Sequence, residues 1–469
     1  MSNMEKIVTL AKHRGFVFAN SDIYGGLANA WDYGPLGVEL KNNIRDLWWK
    51  YFVKQRFDIV GLDAGILMNS KVWEASGHVG SFSDPLIDCK ECKERFRADK
   101  LIADFSLQNT GKETIADGWS NEQTKDYLTD NKVKCPQCGA NNWTDVRQFN
   151  LMFETHQGVT KNSSSQIYLR PETAQGIFVD FKSIVQSTRK KVPFGVAQIG
   201  KAFRNEISPG NFIFRTREFE QMEIEYFVEP GTEKEWHQKW EKDMYDFLYN
   251  TLNINNKDNF RLRWHNENEL SHYSSGTFDI EYQFPFGWSE LWGCASRTDY
   301  DLKQHEKFSK QDMTYFSAEK NSKYHPFVIE PTFGLTRTLL MILCDAYSEE
   351  TLDNGENRVV LKFYPKLAPF KVAVFPLVKK LSKEAQKIAE ILTPHFTVDF
   401  DEAGSIGKRY RRHDEIGTPF TITVDFDTTG TGNKVDPKLK NTVTIRDRDT
   451  MKQQRIPVDN LIKFFTDNL

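Results

Sequence analysis

Polar and apolar side chains alternate along residues 219–228, and this run is the clearest pattern in the chain. Successive side chains of a strand point to opposite faces, so the run divides into two sets. One set is Glu220, Met222, Ile224, Tyr226 and Val228, and the other is Phe219, Gln221, Glu223, Glu225 and Phe227. We therefore predict a strand with one face mostly in the core and the other mostly available for chemistry.

A turn is predicted just before this strand, at residues 208–211, where Ser-Pro-Gly-Asn is rich in residues that reverse a chain. The turn lies between Arg204 and Arg215, so the segments on either side should be antiparallel neighbours. Both guanidiniums would then lie at one end of a hairpin. A guanidinium is a planar fork of donors that keeps its charge, so the pair is suited to the phosphates of a nucleoside triphosphate.

Further strands and helices surround this hairpin. Strand-like composition is found at residues 196–203, 212–228, 277–284 and 288–295. Helices are predicted at 38–54 and 334–347, with apolar stripes at Leu40, Ile44, Leu47, Trp48, Tyr51 and Phe52 and at Leu335, Leu339, Ile342 and Ala346. Strands joined by short turns predict an antiparallel sheet, and with flanking helices the fold class is α+β.

Two adjacent tryptophans, Trp48 and Trp49, cannot both face the same core from one helix. Either one packs inside and the other is partly exposed, or the second contacts another subunit.

The pattern changes to βαβ from about residue 363, which predicts a separate α/β domain. Strands are expected at 371–375, 396–400, 418–424 and 442–446, and helices at 405–416, at 459–468 and along Leu381, Ala385, Ile388 and Leu392. Two prolines in residues 364–369 mark the linker, where a hinge is expected.

The length of 469 residues indicates two or three domains. No run of 18 apolar residues is present, which predicts no membrane span. The charged N-terminal segment lacks the apolar stretch of a secretory signal, so we expect a cytoplasmic protein.

A formal net charge of -3 excludes a surface that binds polyanions everywhere, so any nucleic acid must meet a local patch. One candidate is the basic run at residues 408–413, which contains Tyr410. The run suits RNA phosphates or unstacked bases, although such runs are also common on solvated helix faces.

Four of the six cysteines form two Cys-x-x-Cys pairs, Cys89 with Cys92 and Cys135 with Cys138. They bound a polar segment, residues 89–148, that interrupts the pattern of the core and is expected to be inserted. Such paired knuckles place four thiolates around a structural Zn²⁺ and leave no position for water. The alternative is four reduced thiols without a metal, and a disulfide framework is not expected.

Several segments together resemble the class II aminoacyl-tRNA synthetases. FRNE at 203–206 followed by FRTREFEQME at 214–223 resembles motif 2 of that class, YGPLG at 33–37 resembles motif 1 and GLTR at 334–337 resembles motif 3. RPETAQGIF at 170–178 and SRTDYDL at 296–302 are similar to the dimeric type of glycyl-tRNA synthetase. The resemblance covers nearly the whole chain and implies a homodimer whose C-terminal domain binds the anticodon.

The activity implied by this resemblance is that of a glycine-tRNA ligase. Glycine reacts with ATP to give glycyl-adenylate and pyrophosphate, and the glycyl group then passes to the 3′ end of tRNA(Gly). The first step brings two anions together, so positioning and charge neutralisation dominate catalysis. Mg²⁺ is implied by the triphosphate, with Glu290 as a contact.

The resemblance also implies roles for individual residues. Arg204 and Arg337 are implied as catalytic residues, with Phe219 against the adenine ring. The implied ATP contacts are Arg204, Asn205, Glu206, Phe214, Arg215, Thr216, Arg217, Glu218, Phe219, Glu290, Leu291, Gly334, Leu335, Thr336 and Arg337. The implied glycine contacts are Arg97, Glu172, Phe219, Glu220, Gln221, Met222, Glu223, Arg297, Glu330, Pro331, Thr332, Phe333 and Gly334.

Glycine offers only an ammonium, a carboxylate and two hydrogens, so a selective pocket must bind the ammonium and crowd the α-carbon. Crowding rejects every larger amino acid, and no editing domain is expected. The family usually has Glu-Pro-Ser where this chain has Thr332 as the third residue, which keeps the hydroxyl and adds a methyl.

Each of these assignments has a simpler alternative. Glu172 follows Pro171 at an expected helix start, where an acidic residue is favoured in any case. Glu330 suits a loop ion pair, Arg97 a solvated surface, and Phe219 a core position in a strand.

Two rival functions remain open. One is a class II synthetase for serine, threonine or proline, and the other is a non-catalytic relative that binds nucleic acid. Against the second, Arg204, Glu206, Phe219, Glu290 and Arg337 are all present. The expected domains are residues 1–88 and 149–362 for the core, 89–148 for the insertion and 363–469 for the C-terminal domain.

Overall fold

A computed structural model describes residues 3–112, 114–116, 119–159, 165–207, 210–266, 269–271, 273–432 and 435–469. The α-helices are α1 (Asn3–His13), α2 (Pro35–Trp49), α3 (Ser70–Ala75), α4 (His78–Ser81), α5 (Ala98–Thr110), α6 (Asn121–Asp130), α7 (Ala174–Thr188), α8 (Glu233–Asp246), α9 (Tyr300–Ser309), α10 (Leu335–Ala346), α11 (Ser382–Leu392), α12 (Ile406–Glu415), α13 (Phe426–Thr429) and α14 (Leu461–Asn468). The strands of the core and insertion are β1 (Val17–Ala19), β2 (Trp31–Tyr33), β3 (Ile59–Gly61), β4 (Ser83–Asp88), β5 (Arg95–Arg97), β6 (Arg147–Asn150), β7 (Phe153–His156), β8 (Gln166–Leu169), β9 (Phe194–Phe203), β10 (Glu218–Val228), β11 (Phe260–Trp264), β12 (Gly276–Phe284), β13 (Gly287–Thr298), β14 (Tyr315–Ser317), β15 (Ser322–Tyr324), β16 (Phe327–Gly334), β17 (Tyr347–Thr351) and β18 (Asn357–Leu361). The C-terminal strands are β19 (Val372–Pro376), β20 (Val398–Phe400), β21 (Phe420–Val424), β22 (Thr442–Asp447) and β23 (Gln453–Pro457). Among the described residues, no helix combines the length and the apolar character needed to cross a membrane.

A seven-stranded sheet forms the centre of the molecule, in the order β11-β12-β13-β16-β10-β9-β3. All neighbours are antiparallel except β3 and β9. In β10, Glu218 pairs with Phe203 of β9, and Glu223 pairs with Thr332 of β16. The predicted α+β class and the antiparallel hairpin are confirmed.

The two faces of β10 differ as the alternation predicts. Met222, Ile224 and Tyr226 are buried in the main hydrophobic core, which α2 and α10 also line. On the other face, Phe227 packs against the Phe181 ring of α7, with ring centroids 4.6 Å apart. The same face opens into a cavity nearer the start of the strand. The sheet therefore separates a packed layer from a layer with room for a ligand.

The helix with the two tryptophans begins at Pro35 and continues as a π-helix through residue 54. Trp48 is fully buried, whereas Trp49 is half-buried and its ring lies against Gly61. A side chain at Gly61 would come within 2.5 Å of that ring, so this glycine allows the close approach. One tryptophan is thus inside and the other partly exposed, and a subunit contact stays a prediction.

The strand predicted for residues 212–228 begins later than expected, at Glu218. Asn211 and Phe212 adopt positive φ angles of 54° and 61°, which turn the chain instead of extending it. The ring of Phe212 packs edge-on against Trp31, with centroids 4.8 Å apart. A short apolar run is compatible with either a strand or a buried turn, so its pattern alone cannot distinguish the two. Here the contact with Trp31 stabilises the turn. Ser208 and Pro209 of the predicted turn lie outside the described residues.

The inserted segment has a small hydrophobic core of its own. Strands β4, β5 and β6 form a three-stranded sheet, and α5 packs near α6 beside it. Ile87, Ile102, Leu128 and Val133 are buried there.

The C-terminal domain has a five-stranded sheet in the order β20-β19-β21-β22-β23. The first three strands are parallel, and β22 and β23 are antiparallel additions. The predicted βαβ pattern is confirmed, but β23 was not predicted. Its sequence Gln-Gln-Arg-Ile-Pro is mostly polar because it is an edge strand that is largely exposed.

The linker before this domain packs against the main core, and the hinge expected there stays a prediction. Leu367 and Ala368 are buried in the main core, and Asn43 donates from Nδ2 to both of their carbonyl oxygens at 3.1 Å. Deeper in the contact, Asp414 of α12 accepts from Arg358 of β18 at 2.9 Å and from Arg446 of β22 at 2.8 and 3.0 Å. A buried carboxylate between two guanidiniums therefore joins the core to the C-terminal domain.

Candidate active site and metal centre

A cavity of about 380 Å³ lies on the polar face of the sheet, over β10, β13 and β16. Of the residues expected from the sequence, it is lined by Glu172, Arg204, Glu206, Phe214, Arg215, Thr216, Phe219, Gln221, Glu223, Glu290, Leu291, Arg297, Glu330, Thr332, Gly334, Thr336 and Arg337. The fold thus brings together residues from segments far apart in the chain.

One end of the cavity is cationic, and the hairpin creates it. The backbone N–H of Arg204 donates to the carbonyl oxygen of Arg217 at 2.9 Å across the hairpin, which places Arg204 beside the turn. Its guanidinium lies 5.3 Å from the ring centroid of Phe219. Arg215 donates from Nε to Glu206 Oε2 at 2.8 Å.

Arg337 completes this cationic end from the first turn of α10. Its Nη1 lies 3.0 Å from Glu290 Oε2, and its guanidinium lies 4.6 Å from the ring centroid of Phe214. The guanidinium of Arg337 lowers the pKa of Glu290, so this carboxylate is ionised beside the cations. The three guanidiniums of Arg204, Arg215 and Arg337, with the carboxylates of Glu206 and Glu290, can bind a polyphosphate together with a divalent cation.

The other end of the cavity is acidic and centres on Glu172, Glu223 and Glu330. Glu172 accepts from Gln175 Nε2 at 2.9 Å and lies 3.3 Å from His78 Nε2. Although burial opposes ionisation, the adjacent His78 lowers the pKa of Glu172 well below its usual range. Buried carboxylates at this end can bind an ammonium group.

Glu223 is held by hydroxyl groups instead of cations. Thr332 donates to its Oε1 at 3.0 Å and Thr173 donates to its Oε2. Burial and the nearby Glu172 raise the pKa of Glu223, while the two hydroxyls partly oppose the rise. The hydroxyl of Thr332 therefore makes a contact that a serine at this position could also make.

Arg297 is the cation at the centre of the acidic end, and it is fully buried. It binds both oxygens of Asp301 at 2.8 and 2.9 Å and both oxygens of Glu330 at 2.9 and 3.0 Å. The ring of Tyr273 covers it at 4.0 Å. Arg297 therefore pairs with acidic side chains of the protein, and the contact with glycine expected from the sequence stays a prediction.

Several expected contact residues lie away from the cavity wall. Arg97 is at the base of the insertion, 3.1 Å from Asp84 and 2.5 Å from Asp99. Glu220 points to the opposite face of the sheet, where it pairs with Lys41 at 2.5 Å. The others that do not line the cavity are Asn205, Arg217, Glu218, Met222, Pro331, Phe333 and Leu335. The substrate roles expected for these residues stay predictions.

The cavity also contains residues that the sequence did not suggest. They are His265, Ser271, Tyr273, Thr277, Asp279, Gly293, Cys294 and Ala295. His265 Nε2 lies 2.7 Å from Asp279 Oδ2, and this contact raises the pKa of His265. Thr277 and Asp279 occupy alternate positions of a predicted strand, so their shared face was a usable signal. Tyr273 and His265 lie in loops or strand ends, where no periodicity identifies them.

The four paired cysteines meet at one point of the insertion. Their sulfur atoms all lie within 4.8 Å of one another, and Cys89 to Cys138 and Cys92 to Cys135 are each 3.6 Å apart. Tetrahedral zinc with bonds of about 2.3 Å needs sulfur atoms about 3.8 Å apart. The donor type and the spacing both fit Zn²⁺.

Family models match three parts of the chain. Residues 153–346 match the tRNA synthetase class II core domain of the G, H, P, S and T group, 106–151 match glycyl-tRNA synthetase insertion domain 1, and 371–468 match an anticodon binding domain. A solved structure described as the RNA binding domain of threonyl-tRNA synthetase from Cryptosporidium parvum Iowa II has a TM-score of 0.64 at 16% identity and covers 98% of each chain. At that identity, the likeness concerns the fold alone.

Curated relatives are much closer in sequence. The glycine-tRNA ligase of Clostridium kluyveri is 59% identical over 99% of this chain and 98% of its own. The glycine-tRNA ligase of Acetivibrio thermocellus is 59% identical over 98% of this chain and 97% of its own. The matches extend over the class II core, the insertion and the C-terminal domain, and the chain belongs to the glycyl-tRNA synthetase family of class II aminoacyl-tRNA synthetases.

Proposed function

We propose that this chain activates glycine with ATP and transfers it to the 3′ end of tRNA(Gly). The observation that carries the proposal is a single cavity with a cationic end at Arg204 and Arg337 and a narrow acidic end at Glu172, Glu223 and Glu330. The first end suits a triphosphate and the second an ammonium. The reacting carboxylate of glycine and the α-phosphate would meet between them.

In this proposal, Arg204 neutralises the α-phosphate and the attacking carboxylate, and Arg337 and Arg215 bind the outer phosphates. Phe219 lies on the same face beside Arg204, where an adenine ring can stack. Glu290 would hold Mg²⁺, which would neutralise further phosphate charge when bound. No side chain needs to remove a proton, because the attacking carboxylate is already ionised.

Specificity for glycine would come from the size of the acidic end and from its charge. The buried carboxylates leave little space beside an α-carbon and give the ammonium its counter-charge. In this proposal, a larger amino acid is excluded by the size of its side chain.

Only some residues of the basic run in the C-terminal domain are available to contact tRNA. Arg409 is buried and donates to carbonyl oxygens of its own domain. Arg411 and Arg412 are partly exposed and pair with Glu356 and Asp401. We propose that Lys408, Arg411 and Arg412 meet the anticodon stem-loop, with the remaining residues serving the fold.

The experiment that tests the function is exchange of labelled pyrophosphate into ATP, run with each of the twenty amino acids. Exchange that depends on glycine alone supports the proposal. Exchange driven by serine, threonine or proline would favour another class II activity. If no amino acid drives exchange while nucleotide still binds, the chain is a non-catalytic relative.

We also propose that the enzyme is a homodimer in the cytoplasm, where charged tRNA is consumed. Ile23, Tyr24 and Leu27 expose apolar side chains next to β2 and the start of α2, the segment with the motif 1 wording. Such a cluster is typical of a protein contact. The expected mass in sedimentation equilibrium is twice that of one 54.5 kDa chain, and the mass of one chain would contradict the dimer.

The domain boundaries are part of the same proposal: residues 1–88 and 149–362 form the catalytic core, 89–148 the insertion and 363–469 the C-terminal domain. The separate cores of the insertion and of the C-terminal domain support the division into these parts, although Ile87 packs with the insertion and Leu367 with the main core.

We propose that Cys89, Cys92, Cys135 and Cys138 hold a structural zinc ion. Mass spectrometry of the purified protein under native conditions is expected to find one zinc per chain. Cys135→Ser is expected to lose it and to make the insertion more sensitive to protease, because the knuckles are then no longer crosslinked.

Cys344→Ser is the matched control, since Cys344 is partly buried in α10, away from the cluster. Its zinc content should equal that of the unaltered chain. A preparation with fully reduced thiols and no zinc would contradict the assignment.

A further inference from the structure

One buried glutamate, Glu225, has no part in the mechanism proposed above. It lies on β10 behind the acidic end of the cavity and is fully buried. Neither of its carboxylate oxygens has a hydrogen-bond partner among the residues that the structure describes. An ionised carboxylate in that position costs several kcal/mol even after relaxation of the surroundings. The burial of Glu225 without a hydrogen-bond partner therefore requires a physical explanation.

Two other glutamates face Glu225. One oxygen from each of Glu223, Glu225 and Glu330 lies within 4.8 Å of the other two. Because Glu223 pairs with Thr332 in the antiparallel register, Glu225 lies opposite Glu330 on the neighbouring strand. Like charges placed directly opposite on adjacent strands repel. Arg297, Asp301 and the Cys294 thiol are further titratable or charged groups near it in the described part of the chain.

The hydrogen bonds indicate which of the three carboxyl groups holds a proton. Glu330 accepts two hydrogen bonds from Arg297, and Glu223 accepts from the hydroxyls of Thr332 and Thr173. Burial also raises the pKa of Glu330 well above its ordinary value, so the pKa direction alone does not separate Glu330 from Glu225. The donors do separate them, because they favour the ionised form of Glu330 and Glu223. Glu225 has no such donor, and burial together with Glu330 raises its pKa well above the ordinary 4.5.

We propose that Glu225 is a positioning residue of the glycine pocket: a neutral carboxylic acid that donates its hydroxyl hydrogen to the carboxylate of Glu330 or Glu223. The bond would orient that carboxylate toward the cavity, where it receives the ammonium of glycine. Protonation of Glu225 also removes one negative charge from the cluster that faces Arg297. The inference rests on the proposed activation of glycine.

Two substitutions at Glu225 distinguish the effect of its hydrogen-bond donor from the effect of its side-chain volume. Glu225→Gln keeps the shape and an N–H donor without a charge, and its KM for glycine should stay within about threefold of the original. Glu225→Leu fills similar space without a donor, and its KM for glycine should rise about tenfold or more, with the KM for ATP unchanged. Equal glycine KM values for the two variants would overturn the inference, as would equal losses for glycine and ATP.

The unaltered enzyme serves as the reference for these variants. If it shows no glycine-dependent exchange, the proposed function fails. If it does, and Glu225→Leu behaves like it, only the role of Glu225 fails.

A measurement on folded protein covers the case in which Glu225→Leu does not fold. Infrared spectra of the unaltered enzyme at neutral pH should contain the carbonyl stretch of a protonated carboxyl group, and the band should be missing from Glu225→Gln. Its absence from the unaltered enzyme, or its persistence in Glu225→Gln, would overturn the assignment.

The dependence of stability on pH gives an independent check. A carboxyl that keeps its proton in the folded chain contributes stability that is full below the unfolded value of 4.5 and is lost as pH rises toward the folded pKa. Glu225→Gln has no such group, so its free energy of unfolding should rise relative to the original chain between about pH 5 and about pH 8. The surrounding groups are common to both proteins, and a difference that stays constant with pH would contradict the inference.

Discussion

Arg297→Met is expected to destabilise the fold by about 3–5 kcal/mol and to abolish glycine activation, because it leaves buried carboxylates without their cation. Arg297 binds four oxygens, two from Asp301 and two from Glu330, and is itself fully buried. The lost Coulomb attraction cannot be replaced by water in that position. Denaturant titration measures the change in stability, and pyrophosphate exchange measures the activity.

Lys303→Met is the control for Arg297→Met. Lys303 pairs with Asp299 at 2.7 Å, but its side chain is more than half exposed. Exposed pairs contribute about 0–1 kcal/mol, so little change is expected. If Arg297→Met were as stable as the original chain, the acidic end would not depend on this guanidinium for its structure.

Arg204→Ala is expected to slow adenylate formation by about 10²–10³-fold with little change in stability. Arg204 is only partly buried, and among the described residues its guanidinium makes a single hydrogen bond, from Nε to the Pro171 carbonyl at 3.1 Å. It is therefore free to bind a ligand in the proposed manner. Single-turnover formation of glycyl-adenylate and glycine binding by calorimetry separate the chemical step from substrate affinity.

Two further variants serve as controls for Arg204→Ala. Arg204→Lys keeps the charge but not the fork, so an intermediate rate is expected. Arg261→Ala removes a half-exposed arginine from the edge strand β11 of the same sheet, where it pairs with Glu281, and should leave the rate unchanged. Equal rates for Arg204→Ala and the original chain would contradict the proposed role.

The arrangement of the central strands could be predicted because it depends on local alternation. The parity of residues 219–228 alone separated Met222 and Ile224, which face the core, from Gln221 and Glu223, which line the cavity. The resemblance of the sequence motifs to the family indicated Glu172, Arg297 and Glu330 as pocket residues. It could not indicate that Arg297 binds both Asp301 and Glu330, because such pairing depends on how separate strands and helices pack.

Other features could not be predicted from the sequence either, because they also depend on contacts between distant segments. Nothing local distinguishes Glu225 from Glu223, since both occupy the same face of one strand. Their environments differ through Thr332 and Thr173, which come from elsewhere in the chain. The turn at Phe212 likewise follows from contact with Trp31, almost two hundred residues earlier.

The carboxylate of Asp414, enclosed between Arg358 and Arg446, limits how modular this enzyme is. A chimera that received its anticodon-binding part from another synthetase would place a new surface against β18. Unless the graft offered an acidic group at the same depth, the buried Arg358 would keep Glu350 of β17 but lose the carboxylate of Asp414, and the hybrid is expected to be less stable. Engineers who wish to exchange tRNA specificity in this way should transplant β18 together with the C-terminal domain.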